Sequence, residues 1–410
     1  MARRRHPHSI EHNILITATL CLLAAGAVMV FSASSARSLL SGQGDGTSFM
    51  VRYVAYGAVG VLLMQIVARK GLDLVPRLTG PLLAGAFLAL LLVKVPGVGI
   101  SVNGARRWLG AGPIVFQPSE VMKLALVLYA AKLLAERPKI LRRWQNLGPL
   151  GLVAGAAVLL VASQPDLGTA LVICFTMAAM LVAAGMPVRW LLSATGIGSM
   201  LVLFYAMSAS YRRDRLMTFL DPWAHAGSQG FQAVQGQIAI GSGGLTGRGL
   251  GESLQKNLFL PEAHTDFILA IVGEELGVIG IWGILFLYGL VAYAGLRVAR
   301  NAPGTYAKLL AAGVTSLFLS QAMLNVFTVL GLAPLTGVPL PFISYGSTNL
   351  VVLLVGMGLL LNIASGGNVK LRAVPDVSGS RRDGSHDRDR RRRDGRARGA
   401  RAGGRRRAAG

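Results

Sequence analysis

Apolar runs of about twenty residues recur along almost the whole chain, and this recurrence limits the possible folds more than any other feature. A helix of that length crosses a ~30 Å hydrocarbon layer. Ten runs are readable, at roughly 13–33, 49–67, 76–94, 118–136, 147–163, 168–186, 190–208, 265–296, 306–331 and 348–364. Hydrophobic residues make up 53% of the 410 and charged residues 14%, a surface that no soluble domain can cover. The alternating ten-residue strands of a membrane barrel are not seen. The chain is predicted to be an all-α polytopic integral membrane protein of about ten transmembrane helices. The run from 265 exceeds what a bilayer needs, so it is expected to tilt or project.

Lys and Arg set the orientation. Arg3, Arg4 and Arg5 precede the first run; Arg69, Lys70 and Arg77 follow the second; Arg137, Lys139, Arg142 and Arg143 follow the fourth; Arg189 follows the sixth; Arg297, Arg300 and Lys308 follow the eighth. With ten spans these fall on one side, and both termini are cytoplasmic. The expected parts are a basic cytoplasmic N-terminus (1–12), a transmembrane domain (13–365) and a disordered basic cytoplasmic tail (366–410). From 381 onwards the tail carries thirteen Arg against four Asp, so it supplies nine of the +23 net charges. With almost no apolar residues it buries no core, and its partner is the anionic membrane lipid of the inner leaflet, with no nucleic acid expected. Cys21 and Cys174 lie in apolar runs without other metal-ligand residues at hand, and read as small core residues.

Two loops break the charge rule. The loop 95–117 carries Arg106 and Arg107, and the large extracytoplasmic loop 209–264, before the eighth helix, carries Arg212, Arg213, Arg215, Arg248 and Lys256. Translocated loops tolerate scattered bases, but these stand near Trp108, Gln117, Glu120 and Asp266. They suit a phosphate-bearing ligand at the outer surface.

Four stretches concentrate polar chemistry. In GARRWLGAGPIVFQPSEVMK, Pro118 fits the first turn of a helix, and Glu120 and Lys123 share one face and can pair. In SQPDLGTA, Asp166 suits an N-cap. The stretch from Arg248 to Gly277 runs from a glycine-rich loop into a membrane helix that holds Asp266, Glu274 and Glu275; acids there are costly and mark function by default. In GLAPLTGVPLPFISYGSTNL, prolines and glycines stand with Ser344, Tyr345, Ser347 and Asn349, and irregular backbone at membrane depth needs burial or a cavity.

Together, QPSE, QPDLGTA, LPEAHTDF, GEELG and PLPFISYG resemble the SEDS family (shape, elongation, division and sporulation), the FtsW/RodA peptidoglycan polymerases, over about residues 13–365. FSASS, FLDPW and QGQIAIGSGG are closer to the division branch than to the elongation branch. Gly346-Ser347 stands where the family has a double glycine, and Phe267-Ile268-Leu269-Ala270 where it has FIFA.

The resemblance implies joining of lipid II disaccharides into β-1,4 glycan with release of undecaprenyl pyrophosphate, in the bacterial plasma membrane at the division septum. It implies Asp266 as catalytic carboxylate. Arg106, Arg107, Trp108, Gln117, Glu120, Lys123, Arg248, Gln255, Lys256, Glu262, His264, Thr265 and Ser344 are the candidate substrate-binding residues. A divalent cation, Mg or Mn, is expected as cofactor, with ligands not assigned. Expected partners are lipid II, the nascent glycan, a class B penicillin-binding transpeptidase and other division proteins. One carboxylate is enough, because a neutralised pyrophosphate leaves without a proton and only the attacking hydroxyl must lose one. The rival readings are a lipid II flippase, for which no inverted repeat is seen, a non-enzymatic scaffold, and an elongation-type polymerase.

Overall fold

A computed structural model of the chain describes residues 9–40, 46–102, 105–111, 114–138, 141, 144–190, 192–193, 196, 218–228, 230–256, 259–261 and 263–367. Within these the helices are α1 (Ile10–Leu40), α2 (Ser48–Arg69), α3 (Val75–Val93), α4 (Pro118–Glu136), α5 (Gly148–Ala162), α6 (Leu167–Ala183), α7 (Phe231–Gly243), α8 (Ile268–Asn301), α9 (Thr305–Val329) and α10 (Ser347–Ala364). Six of them, α1, α2, α3, α8, α9 and α10, are long and apolar enough to cross a membrane, and α5 and α6 are shorter apolar helices. The chain is a polytopic helical membrane protein. The predicted span 190–208 lies almost wholly outside the described residues, as does the tail from 368.

Position in the bundle follows side-chain character. α9 packs against α4, α6, α8 and α10, and its polar residues Thr315, Gln321 and Asn325 are buried. α2 and α3 expose leucines and valines, as lipid-facing helices do. Small residues let α2 and α10 approach closely: a Cβ on Gly358 would overlap the Met64 backbone, the membrane equivalent of a tight core.

Two sequence expectations need correction. Cys21 and Cys174 are exposed on the bundle surface rather than in the core; each lies on the lipid-facing side of a helix whose other face packs inward. The loop 95–117 holds an antiparallel sheet, β1 (Gly99–Val102), β2 (Ala105–Ala111) and β3 (Ile114–Phe116), so the fold is mainly helical with a small sheet. Val102 pairs with Ala105 across Asn103-Gly104, a dipeptide suited to two-residue hairpins. In addition, α8 is broken within its length: Gly277 has φ 67° and ψ −164°. Val278 and Ile279 donate to the carbonyls of Gly244 and Leu245, while Arg248 and Gly249 donate to those of Glu274 and Glu275. The turn-rich segment after α7 thus takes up backbone groups freed by the break.

Candidate active site

The loop between α9 and α10 has prolines at 334, 339 and 341, which donate no N–H. Its carbonyls are nevertheless satisfied, by side chains from three helices. Thr328 donates to Pro334 O at 3.2 Å, Asn325 to Val338 O at 2.7 Å and Gln321 to Pro339 O at 2.9 Å. The Tyr288 hydroxyl donates to Pro341 O and the Tyr53 hydroxyl to Phe342 O. Gln321, Asn325 and Thr328 recur at helical spacing on one face of α9. Ser344 accepts from Leu340 N at 2.8 Å and so closes the turn. Phe342, at φ 62°, is held in a conformation rare for an aromatic residue. The loop is therefore buried in protein, one of the two conditions that its composition demanded.

This rigid loop passes beside Asp266. A Cβ at Gly337 would lie 3.8 Å from Asp266 Oδ2. The Thr265 hydroxyl donates to Asp266 Oδ1 at 3.1 Å, and Asn325 donates to the Asp266 carbonyl at 2.7 Å. Phe267 occupies the N-cap position of α8. His264 is buried against Phe49, with ring centroids 4.6 Å apart, and its carbonyl accepts from Tyr345 N at 2.9 Å. Burial pushes the Tyr345 phenol up, and a hydrogen bond to Arg52 opposes that shift.

Next to this lip, α4 begins with Pro118 at its first turn. Glu120 and Lys123 pair at 2.8 Å, both buried, as their spacing predicted. Asn349 donates to Glu120 at 2.6 Å, and Lys123 donates to Gln321 at 2.8 Å. Asp166 caps α6 through Thr169 N at 3.2 Å, and Gln117 and Ser119 donate to its other oxygen at 3.0 and 3.3 Å. Arg107 donates to the carbonyls of Gln164 and Pro165. On β2, Arg106 and Trp108 alternate with Arg107, and Arg106 is exposed.

Two further bases, Lys256 and Arg248, pair with acids of α8. Lys256 meets Glu275 at 3.0 Å and also donates to Ser32 of α1 at 3.3 Å and to Gly251 O at 2.5 Å. Glu274 accepts from Ser253 at 2.5 Å, Leu254 N at 3.1 Å and Gln255 N at 3.3 Å, with Arg248 at 3.7 Å. Among the described residues, Arg107, Arg248 and Lys256 thus take different partners and form no single phosphate cluster. Glu262, Arg212, Arg213 and Arg215 lie outside the described residues. Among the described residues no group of three His, Cys, Asp or Glu is arranged to hold a metal.

Sequence reasoning missed Arg52, Gln321 and Asn325. The signal for the last two was present: amides four apart inside an apolar helix are costly unless they have work to do.

The comparisons agree with this architecture. The cell cycle protein family of FtsW, RodA and SpoVE matches residues 12–368. Stage V sporulation protein E of Bacillus subtilis is 38% identical over 86% of this chain and 96% of its own length. A probable peptidoglycan glycosyltransferase FtsW of Legionella pneumophila is 38% identical over 87% of this chain and 91% of that protein. A chain from a peptidoglycan synthase complex, solved for its coordination of polymerization and crosslinking, superposes with TM-score 0.73 at 30% identity, covering 87% of this chain and 98% of that one. The crystal structure of the rod shape determining protein RodA of Thermus thermophilus superposes with TM-score 0.64 at 29% identity, over 87% and 97%.

Proposed function

The chain belongs to the FtsW/RodA/SpoVE cell cycle protein family, and from that premise we propose that it is a peptidoglycan glycosyltransferase with Asp266 as its base. One observation carries the choice of base. Asp166, Glu120, Glu274 and Glu275 are all at most 4% exposed, whereas Asp266 is only half-buried. A base must reach the proton it takes, and Asp266 is the acid of these five that a sugar hydroxyl can approach.

The substrate is lipid II, with its sugars outside and its tail in the bilayer. The acceptor hydroxyl oxygen bonds to the anomeric carbon of the donor while the carbon–pyrophosphate oxygen bond breaks. Asp266 takes the hydroxyl proton, and the electron pair leaves with undecaprenyl pyrophosphate. The described residues form no protein cage for a divalent cation, and no step is assigned to one; Mg²⁺ commonly rides on substrate phosphates with one or two carboxylates. Arg106 and Arg52 are both exposed, and they are assigned to the pyrophosphate. The site end faces outward and both termini are cytoplasmic. The partners are a class B penicillin-binding transpeptidase and other division proteins, at the septum.

The test is polymerisation of labelled lipid II by the purified full chain, alone and with its transpeptidase, with and without Mg²⁺. Polymer is the expected product. Scrambling of lipid II across liposomes without polymer would favour a flippase instead.

A further inference from the structure

We propose that Asn325 is a positioning residue for Asp266: it aims the carboxylate by fixing the peptide that follows it. This rests on the reading of Asp266 as the base. The Asn325 amide nitrogen donates at 2.7 Å to two carbonyls, those of Asp266 and Val338, which lie 59 and 13 residues away in the chain. The two acceptors settle which end of the amide is nitrogen, an assignment otherwise ambiguous. The side chain is 1% exposed, and its own Oδ1 has no hydrogen-bond partner among the described residues. The orientation of the amide is thus fixed by the two carbonyls it serves.

The contrast along α9 argues against simple satisfaction of loop carbonyls. Thr328 serves Pro334 with one hydroxyl, and Gln321 serves Pro339 with one N–H. Among the described residues of that face, Asn325 alone reaches across to the segment that carries Asp266. Both N–H bonds of one planar group then set the distance between Asp266 and the loop at 338, next to Gly337, which borders the carboxylate. Phe267 is fully buried on the other side of that peptide. Rotation of the peptide would swing the Asp266 side chain, since Cβ moves with the backbone. Misplacement of a reacting group by about 1 Å costs about 10²-fold in rate.

The experiment compares Asn325→Leu, Thr328→Val and Asp266→Asn with the wild-type full chain. Turnover and lipid II KM are measured under conditions in which the wild type polymerises, with rates normalised to monodisperse protein. Asn325→Leu is expected to lower kcat about 10²-fold with KM within threefold, and Thr328→Val to leave both within threefold. A folded Asn325→Leu protein with kcat within threefold of wild type overturns the proposal. So does an equal loss in Asn325→Leu and Thr328→Val, which would mean that any damage to this face acts alike. If Asn325→Leu does not fold, Asn325→Ser takes its place, since it keeps one hydroxyl donor and room for water; kcat within threefold of wild type again overturns the proposal, and a tenfold or larger drop at constant KM supports it. Should Asp266→Asn polymerise normally, the base assignment itself fails. An inactive Asp266→Asn beside a fully active Asn325→Leu removes the positioning role alone.

Discussion

Lys256 and Glu275 meet at 3.0 Å with both side chains buried, and Ser32 of α1 joins them through both Glu275 oxygens at 2.6 and 2.8 Å. A loop base beside substrate motifs therefore ties the loop to α8 and α1. Removing one partner of a buried pair leaves an uncompensated charge, at a cost of about 3–5 kcal/mol. Lys256→Ala is expected to lower thermal stability in detergent strongly, while the folded fraction keeps a lipid II KM within threefold of wild type. Normal stability with a raised KM would return Lys256 to the substrate.

The Glu120–Lys123 pair makes a related prediction with a different control. Lys123→Met strands a carboxylate that is then held, among the described residues, by Asn349 alone, and about 3–5 kcal/mol of stability should be lost. Adding Glu120→Gln removes the stranded charge, so the double variant should be more stable than Lys123→Met alone. A thermal-shift double-mutant cycle reads the coupling, and strict additivity would contradict it.

Legibility in the sequence followed range. Glu120 with Lys123, and Asp166 with Thr169, are neighbours three residues apart, and both contacts were readable. So was the burial required of the proline-rich loop. Lys256 was misleading because its immediate neighbours matched substrate motifs, while its partners stand 19 and 224 residues away. The sheet escaped because strands of four, seven and three residues are too short for periodicity, although Asn103-Gly104 marked its first turn. Gln321 and Asn325 were visible as amides in an apolar helix, but nothing local says which carbonyls they serve.

Gly277 tests the break in α8. Its φ of 67° favours glycine, and an added Cβ would run into the backbone of Gly247 and Leu245. Gly277→Ala should detach the segment 244–249 from α8, seen as faster proteolysis within 244–256 than in wild type. Unchanged protection would show that the segment is held by side chains alone.

Arg106 and Arg107 separate binding from structure within one strand. Arg107 is tied to the carbonyls of Gln164 and Pro165, whereas Arg106 is exposed. Arg106→Ala should raise lipid II KM about tenfold, with Arg106→Lys only partly tolerated because an ammonium lacks the planar fork. Arg107→Ala should act mainly on thermal stability. Equal KM values for Arg106→Ala and wild type would release Arg106 from the pyrophosphate.

The assignment of the base is tested most directly by the initial rate of glycan formation from lipid II by purified Asp266→Asn protein. Asparagine keeps the shape and the Thr265 contact but cannot take the proton, and loss of a general base costs about 10²–10⁴-fold. A monodisperse Asp266→Asn protein should bind lipid II with wild-type affinity and form polymer at least about 10²-fold more slowly. Polymer at near wild-type rate would contradict the account.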